Sequence, residues 1–145
     1  MAQAARQRHS EDERGRDIAW RPVLGGYALA LLGTVLVGGG GVAFAGHGMW
    51  WVAHWGIGFL FIAGALAGYV ARTAEPLNGA FIAVFYFSTV AFIIFIGEFL
   101  AILPDPLPGL PRGDSTFYFV WPLEQLAAST VGAIVGGVLA RRGGE

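Results

Sequence analysis

Gly64 to Arg72 reads GALAGYVAR and closes a long apolar stretch of the chain. A closely similar phrase, GAIVGGVLARR, lies at Gly132 to Arg142 near the C-terminus. Each phrase has glycines at four-residue spacing and ends in arginine. In a bilayer this pattern is typical of a helix that packs closely on another helix and ends at the cytoplasmic face. The two phrases therefore predict a pair of tightly packed membrane helices.

The composition favours a membrane protein. Of the 145 residues, 55% are hydrophobic and 13% are charged, which is too apolar for an ordinary water-soluble domain. The chain has no cysteine, so disulfides and cysteine-ligated metal sites are excluded. A net charge of -1 leaves no basic excess for a phosphate backbone, so we expect no nucleic-acid partner. The absence of lysine also excludes a GxxxxGK[ST] phosphate loop.

Four apolar runs are each long enough to cross a bilayer, which takes about 20 residues. The predicted spans are about 20–45, 50–71, 78–103 and 117–140. Short links at Gly46 to Met49 and at Arg72 to Leu77 join neighbouring spans into antiparallel hairpins. Residues 1–19 are polar and predict a disordered tail, while the proline-rich 104–115 predicts an outer loop. The sequence thus predicts an all-α, four-helix transmembrane bundle of two antiparallel hairpins within residues 20–142.

Four consecutive glycines, Gly38 to Gly41, lie in the second half of the first span. Since lipid offers no hydrogen bonds to the backbone, we expect the helix to persist through them, with weakened packing or a kink. One interpretation is a flat surface for a neighbouring helix. The other is a hinge, or a discontinuous half-helix that binds an ion.

The placement of arginine predicts the orientation. The N-terminal segment, the Arg72 link and the C-terminus lie on one side of a four-span chain, and Arg112 lies on the other. The positive-inside rule then places both termini in the cytoplasm. Trp20 falls at the inner interface. The remaining tryptophans fall at the outer interface: Trp50, Trp51, Trp55 and Trp121. We therefore expect a multi-pass protein of the cytoplasmic (plasma) membrane.

Small residues on the second and fourth spans are the predicted helix-packing residues, because residues four apart share a helix face. They are Gly64, Gly68, Ala128, Gly132, Gly136 and Ala140. Aligning the two arginine-terminated phrases takes one inserted residue. The hairpins are therefore a candidate parallel repeat about an axis along the membrane normal, and chance likeness between Gly/Ala-rich helices is the alternative.

Four polar residues within the spans form a candidate cluster. Counted in turns from the expected helix ends, His54, Glu98, Glu124 and Gln125 fall at comparable depth in the outer leaflet. One interpretation is a cation or proton site, since imidazole and carboxylate groups suit divalent metals. A second is a buried, hydrogen-bonded structural cluster. A third is contact with headgroups and water, with a helix that begins at Pro122 and holds Glu124 in its first turn.

The hairpin pattern resembles a group of known proteins. A helix that ends in Gly-Ala-x-x-Gly, a short polar turn and then Asn78-Gly79-Ala80 is similar to small four-helix prokaryotic membrane proteins grouped as uncharacterised families. The resemblance covers the second to fourth spans. Because such families have no established activity or catalytic residues, the resemblance implies a fold and no site.

These observations lead to two functional expectations. The first is a non-enzymatic assembly or accessory module in the lipid bilayer, without cofactors, that packs through its glycine stripes into a homo-oligomer or a larger membrane complex. The alternative is a small transporter or channel-like subunit in which His54, Glu98 and Glu124 line a polar pathway. A membrane-embedded enzyme would need a nucleophile or an open metal position, and no motif in the sequence supplies one.

Overall fold

The structure is a computed structural model that describes residues 17–45, 49–102 and 115–144. Every regular element in these residues is helical, and four helices are long and apolar enough to cross a membrane. The four candidate spans are Trp20–Gly39, Val52–Ala71, Glu75–Gly97 and Phe119–Arg142. The prediction of an all-α chain with four membrane-length helices is confirmed. Most of the predicted tail, the link after the first span and nearly all of the proline-rich loop lie outside the described residues.

The first apolar segment is a continuous helix with a π-helical section in its middle. α1 covers Trp20–Gly33, the π-helical section covers Thr34–Gly39, and α2 covers Gly40–Ala45. The glycine run therefore remains helical, as predicted for a helix that satisfies its own backbone hydrogen bonds. A Cβ added at Gly38 would lie 3.2 Å from Val52 of the second segment, whereas Gly39 and Gly40 have no such neighbour within 4 Å. The run thus packs closely at one glycine and lies open at two others.

α3 covers Met49–Ala71 and α4 covers Glu75–Phe99, with a turn at residues 72–74 between them. Arg72 and Ala74 have φ angles of 55° and 46°, in the left-handed region that commonly ends a helix. Pro76 stops α3 from continuing, as its sequence position suggests, but it also lies in the first turn of α4. A proline is tolerated there because its missing amide hydrogen would have no helical partner. For this reason α4 begins at Glu75, before the predicted start at Asn78.

α4 ends in a Schellman-type cap. The Ile102 amide donates to the Gly97 carbonyl at 2.9 Å, and Ala101 between them has a φ of 56°. This geometry satisfies a carbonyl of the last turn and ends the helix. The helix therefore ends at Phe99, short of the predicted end at Leu103.

α5 covers Ser115–Arg142 and carries Arg141 and Arg142 in its last turn. Arg141 Nη1 donates a hydrogen bond to Glu75 Oε1 and forms an ion pair with it. Glu75 lies in the first turn of α4, so both charges also complement the dipole of the helix that carries them. The ion pair holds the C-terminal end of α5 to the start of α4, beside the 72–74 turn.

α3 and α4 form the middle of the bundle. Each packs against α1 and α5 and against the other, whereas α1 and α5 do not touch within the part of the chain that is described. The central cluster is made of Val23, Ala30, Leu60, Ala63, Ala67, Ile82 and Tyr86. Large apolar side chains on all the long helices face outward, which is expected of helices whose outer surface meets lipid.

Contacts between the helices show their directions. α1 is antiparallel to α3, since Gly26 lies against Ala63 and Gly38 lies against Val52. α4 is antiparallel to α5, as the contacts of Gly79 with Thr130 and of Phe87 with Trp121 show. α3 and α5 therefore run parallel to each other. The bundle consists of two antiparallel hairpins, in agreement with the sequence.

Candidate functional site

Among the described glycines, those of α3 and α5 make the closest contacts between helices. A Cβ added at Gly64 would collide with the carbonyl oxygen of Ser129, and one added at Gly132 would collide with the carbonyl oxygen of Phe61. In each case the clash falls below the 3.0 Å that real Cβ atoms keep. Only a residue without a Cβ fits at these points, so the two backbones lie in direct contact.

The same contact repeats one turn further along. Gly68 faces the carbonyl oxygen of Ala133, and Gly136 faces the carbonyl oxygen of Ala65. Where a Cβ would be, each glycine presents a Cα–H to the facing carbonyl, an arrangement that contributes about 0.5–1 kcal/mol per contact. Two GxxxG motifs on parallel helices thus pack reciprocally, each glycine against the backbone of the other helix.

The other predicted packing residues extend this row. Ala140 is buried, and Ala128 is partly buried beside the contact. Gly79 of α4 meets the Ser129 carbonyl oxygen at 2.5 Å from the position of its missing Cβ, which brings a third helix to the same place. The small-residue rows are therefore occupied inside the bundle. A partner protein that binds this chain must use a different surface.

The candidate polar residues lie in different environments. His54 and Glu124 are exposed on the outside of the bundle, and Gln125 is fully buried. Glu98 belongs to α4, but its side chain lies outside what the structure describes. His54 also has an interaction within its own chain. Among the described residues no group of three His, Cys, Asp or Glu side chains could hold a metal ion.

The helix contacts give the height of Glu124 along the bundle. Gly79 and Thr130 are level, because a Cβ at Gly79 would lie 2.7 Å from Thr130 Cα. At 1.5 Å per residue, Glu124 then lies about 15 Å along the bundle from Glu75, and Glu98 lies about 34 Å from it. α4 carries no charged side chain between Glu75 and Glu98. Glu124 is therefore level with the middle of the uncharged length of α4, and Glu98 lies at the end of that length.

This geometry corrects the expectation that the polar residues share one layer. Glu98 is roughly 20 Å further along the bundle than Glu124 by the same helical rise. Pro122 does not begin a helix, since α5 starts at Ser115 and contains Pro122 within it. Glu124 is thus about 13 Å inside the helix and not in its first turn. His54 is level with Glu124 to within about one turn, counted from the contact of Phe61 with Gly132.

No protein-family model, curated protein or solved structure matches this chain. The resemblance to small four-helix prokaryotic membrane proteins therefore stays a prediction.

Gln125 and Ser129 lie one turn apart on α5, and both are fully buried. Neither the amide nitrogen and oxygen of Gln125 nor the hydroxyl of Ser129 has a hydrogen-bond partner within the described part of the chain. Buried polar groups are rarely left in this state. Gln125 was one of the four predicted polar candidates.

Two further buried polar contacts were not predicted as sites. Tyr86 donates to Thr34 Oγ1 at 3.0 Å, and Thr34 donates to the Ala30 carbonyl at 2.8 Å, at the start of the π-helical section. Asn78 accepts from the Ala19 amide at 3.1 Å and donates to the Thr73 carbonyl at 2.7 Å.

The only sequence signal for these contacts is a polar residue inside or beside an apolar run. Such a residue calls for a partner in lipid. Its position in the sequence does not identify that partner.

Proposed function

We propose that this chain is a multi-pass protein of the cytoplasmic membrane that acts as a non-enzymatic assembly module and associates with further copies of itself. Both termini lie on the cytoplasmic side in this proposal. In its support, Arg21, Arg72, Arg141 and Arg142 all lie at the end of the bundle that holds the 72–74 turn. The positive-inside rule assigns that end to the cytoplasm.

The observation that carries the proposal is the exposed carboxylate of Glu124. It is exposed on α5, level with the middle of the uncharged length of α4 and within the candidate span Phe119–Arg142. An ionised side chain at the centre of a bilayer costs about 2.5–3.5 kcal/mol on insertion scales and more in simulations, so such groups usually face protein or a water-filled cavity. A second protein surface over this part of α5 removes the carboxylate from lipid.

The glycine rows do not supply that surface, because they are already used between α3 and α5. Substitution of Gly132 or Gly136 therefore tests the fold and not the assembly. The direct test is energy transfer between donor-labelled and acceptor-labelled copies in lipid vesicles, measured while the protein is diluted into more lipid. We expect transfer that persists on dilution to a plateau. If energy transfer at every lipid-to-protein ratio equals the value expected for randomly distributed molecules, the protein is a monomer and the proposal is overturned.

A second candidate function is a small transporter or channel-like subunit, and one observation favours it. Gln125 and Ser129 place unpartnered donors and acceptors in the interior of the bundle, where a polar solute or a proton-carrying water chain would find hydrogen bonds. The test is proton flux into vesicles that contain the protein and a pH-sensitive dye, driven by a potassium diffusion potential. Flux above that of empty vesicles that is lost in Gln125→Leu supports this function. Flux equal to empty vesicles counts against it.

A further inference from the structure

The exposed sides of α3 and α5 lie on one face of the molecule. α3 packs against α1, α4 and α5, so its exposed side points away from α4, while α5 packs against α3 and α4 and its remaining surface borders both. His54 and Gly58 of α3 and Glu124 of α5 are exposed. Glu124 precedes Ala128, Gly132 and Gly136 at four-residue spacing, and His54 precedes Phe61 by seven residues, so each lies on the side of its helix that borders the other helix. These three residues define the α3–α5 outer face.

A carboxylate and an imidazole lie level on this face. Seven residues separate His54 from Phe61 and eight separate Glu124 from Gly132, while Phe61 and Gly132 are in contact. Because α3 and α5 are parallel, the two side chains lie within about one turn of the same height. A two-fold axis along the bundle keeps every residue at its height. An axis that passes in front of α3 and α5, midway between them, places α3 of one copy opposite α5 of the other. It therefore brings Glu124 of one copy opposite His54 of another, and the reverse pair forms at the same time.

Gly58 provides the space for close approach. An added Cβ at Gly58 meets no atom within 4 Å, and the residue lies one turn along α3 from His54. The α3 backbone is thus bare at the surface beside a polar residue. Small residues next to polar ones are typical of helix pairs that associate in membranes.

We propose that the α3–α5 outer face is where two copies of this chain associate, with Glu124 of each copy covered by the α3 surface of the other. The proposal rests on the self-assembly proposed above and names the surface that performs it. The second copy is preferred over an unrelated partner because the face supplies both the acid and the level imidazole that a two-fold pair requires.

Cysteine cross-linking tests this surface. The chain contains no native cysteine that could form other disulfides. Gly58→Cys is compared with Gly25→Cys on α1, a control glycine that is exposed and equally free of neighbours within 4 Å. Both variants are oxidised in vesicles, and energy transfer is measured on the same samples. We expect Gly58→Cys to give several-fold more disulfide-linked dimer than Gly25→Cys.

The role of the carboxylate is tested in the Gly58→Cys background. We expect Glu124→Gln to lower cross-linking several-fold, whereas Ser88→Ala, which changes an exposed polar residue of α4, leaves it unchanged. An equal effect of the two changes would overturn the role of Glu124.

The combined readouts separate this proposal from the one on which it rests. Persistent energy transfer with equal cross-linking at both cysteines, or more at Gly25→Cys, overturns this surface and leaves self-assembly intact. Absence of both energy transfer and cross-linking overturns self-assembly as well. Cross-linking of Gly58→Cys to a different protein in native membranes, without dimer, shows a foreign partner and overturns the choice of a second copy.

Discussion

Replacement of the buried Gly136 by alanine should destabilise the bundle far more than a methyl addition at an exposed glycine such as Gly25. The new Cβ would lie 2.7 Å from the Ala65 carbonyl carbon and 2.9 Å from Ala65 Cα, and it would collide with the carbonyl oxygen. Carbon atoms pack best at about 3.5–4.0 Å, so α3 and α5 must separate by about 1 Å. The atoms that must move belong to the backbone, and no side chain can rotate to relieve the clash.

The expected loss follows from the contacts that this separation disturbs. Overpacking of a tight interface costs about 1–3 kcal/mol. The reciprocal contacts of Gly68 and Gly136 lie at the same place and weaken together, which adds about 0.5–1 kcal/mol each. We therefore expect Gly136→Ala to lower the free energy of unfolding by about 3 kcal/mol in total.

The measurement is equilibrium unfolding in mixed micelles with increasing SDS, followed by the fluorescence of the five tryptophans. Gly25→Ala is the matched control, since its added Cβ meets nothing within 4 Å and alanine is the better helix former by about 1 kcal/mol. The control should unfold at the same or a higher SDS fraction than the parent chain. If Gly136→Ala unfolds together with the control, the α3–α5 backbone contact is not what stabilises this fold.

Three further changes have expected outcomes in the same unfolding assay. Asn78→Leu should lower the free energy of unfolding by about 2 kcal/mol, because two hydrogen bonds between the backbone and a buried side chain are lost. Amide hydrogen exchange at the start of α1 should also become faster. Unchanged exchange would show that Asn78 does not hold α1. Tyr86→Phe should cost about 0.5–1 kcal/mol, since Thr34 keeps its bond to its own helix; a loss as large as that of Gly136→Ala would contradict this. Ala74→Gly should stabilise by up to about 1 kcal/mol, because the residue has a left-handed φ of 46° that glycine adopts without strain; a lower stability would refute it.

The helices were predictable because their signals are local. The length of an apolar run is enough to predict a helix of membrane-spanning length. All four such helices lie where the sequence has a long apolar run. The boundaries around the 72–74 turn were less predictable, since proline both ends one helix and starts the next. The link was predicted to run to Leu77, whereas α4 begins at Glu75 because Pro76 is accommodated in its first turn.

The candidate site was less predictable because it depends on the relative heights of different helices. Counting turns from each helix end assumes that the ends are level. In the structure α4 continues well beyond the level of Glu124, and α5 begins at Ser115 and not at Pro122. The contacts of Gly79 and Gly132 fix the heights of α3, α4 and α5 relative to one another. The spacing of residues within one helix does not predict which residues of two helices come into contact. The buried pair of Tyr86 and Thr34 escaped prediction for the same reason, since 52 residues separate its members.

The reciprocity of the central contact bears on the origin of the two glycine phrases. Phe61 precedes Gly64 by the same interval as Ser129 precedes Gly132, and the carbonyl of each faces the glycine of the other phrase. Any two rows of small residues can bring helices close. Only rows in matching register place a glycine of each helix against the equivalent carbonyl of the other helix. This register favours an internal repeat over chance likeness between Gly/Ala-rich helices.

The two-fold symmetry of the contact between α3 and α5 does not extend to all the contacts between the two hairpins. A two-fold axis between the hairpins relates α1 to α4 and α3 to α5, so the contact of α3 with α4 should have a counterpart between α5 and α1. Those helices do not touch in the described part of the chain. If the hairpins began as copies, they diverged in how the outer helices pack, while the glycine contact kept its original form. The backbone contact is the part that could not change, because any side chain at those glycines forces α3 and α5 apart.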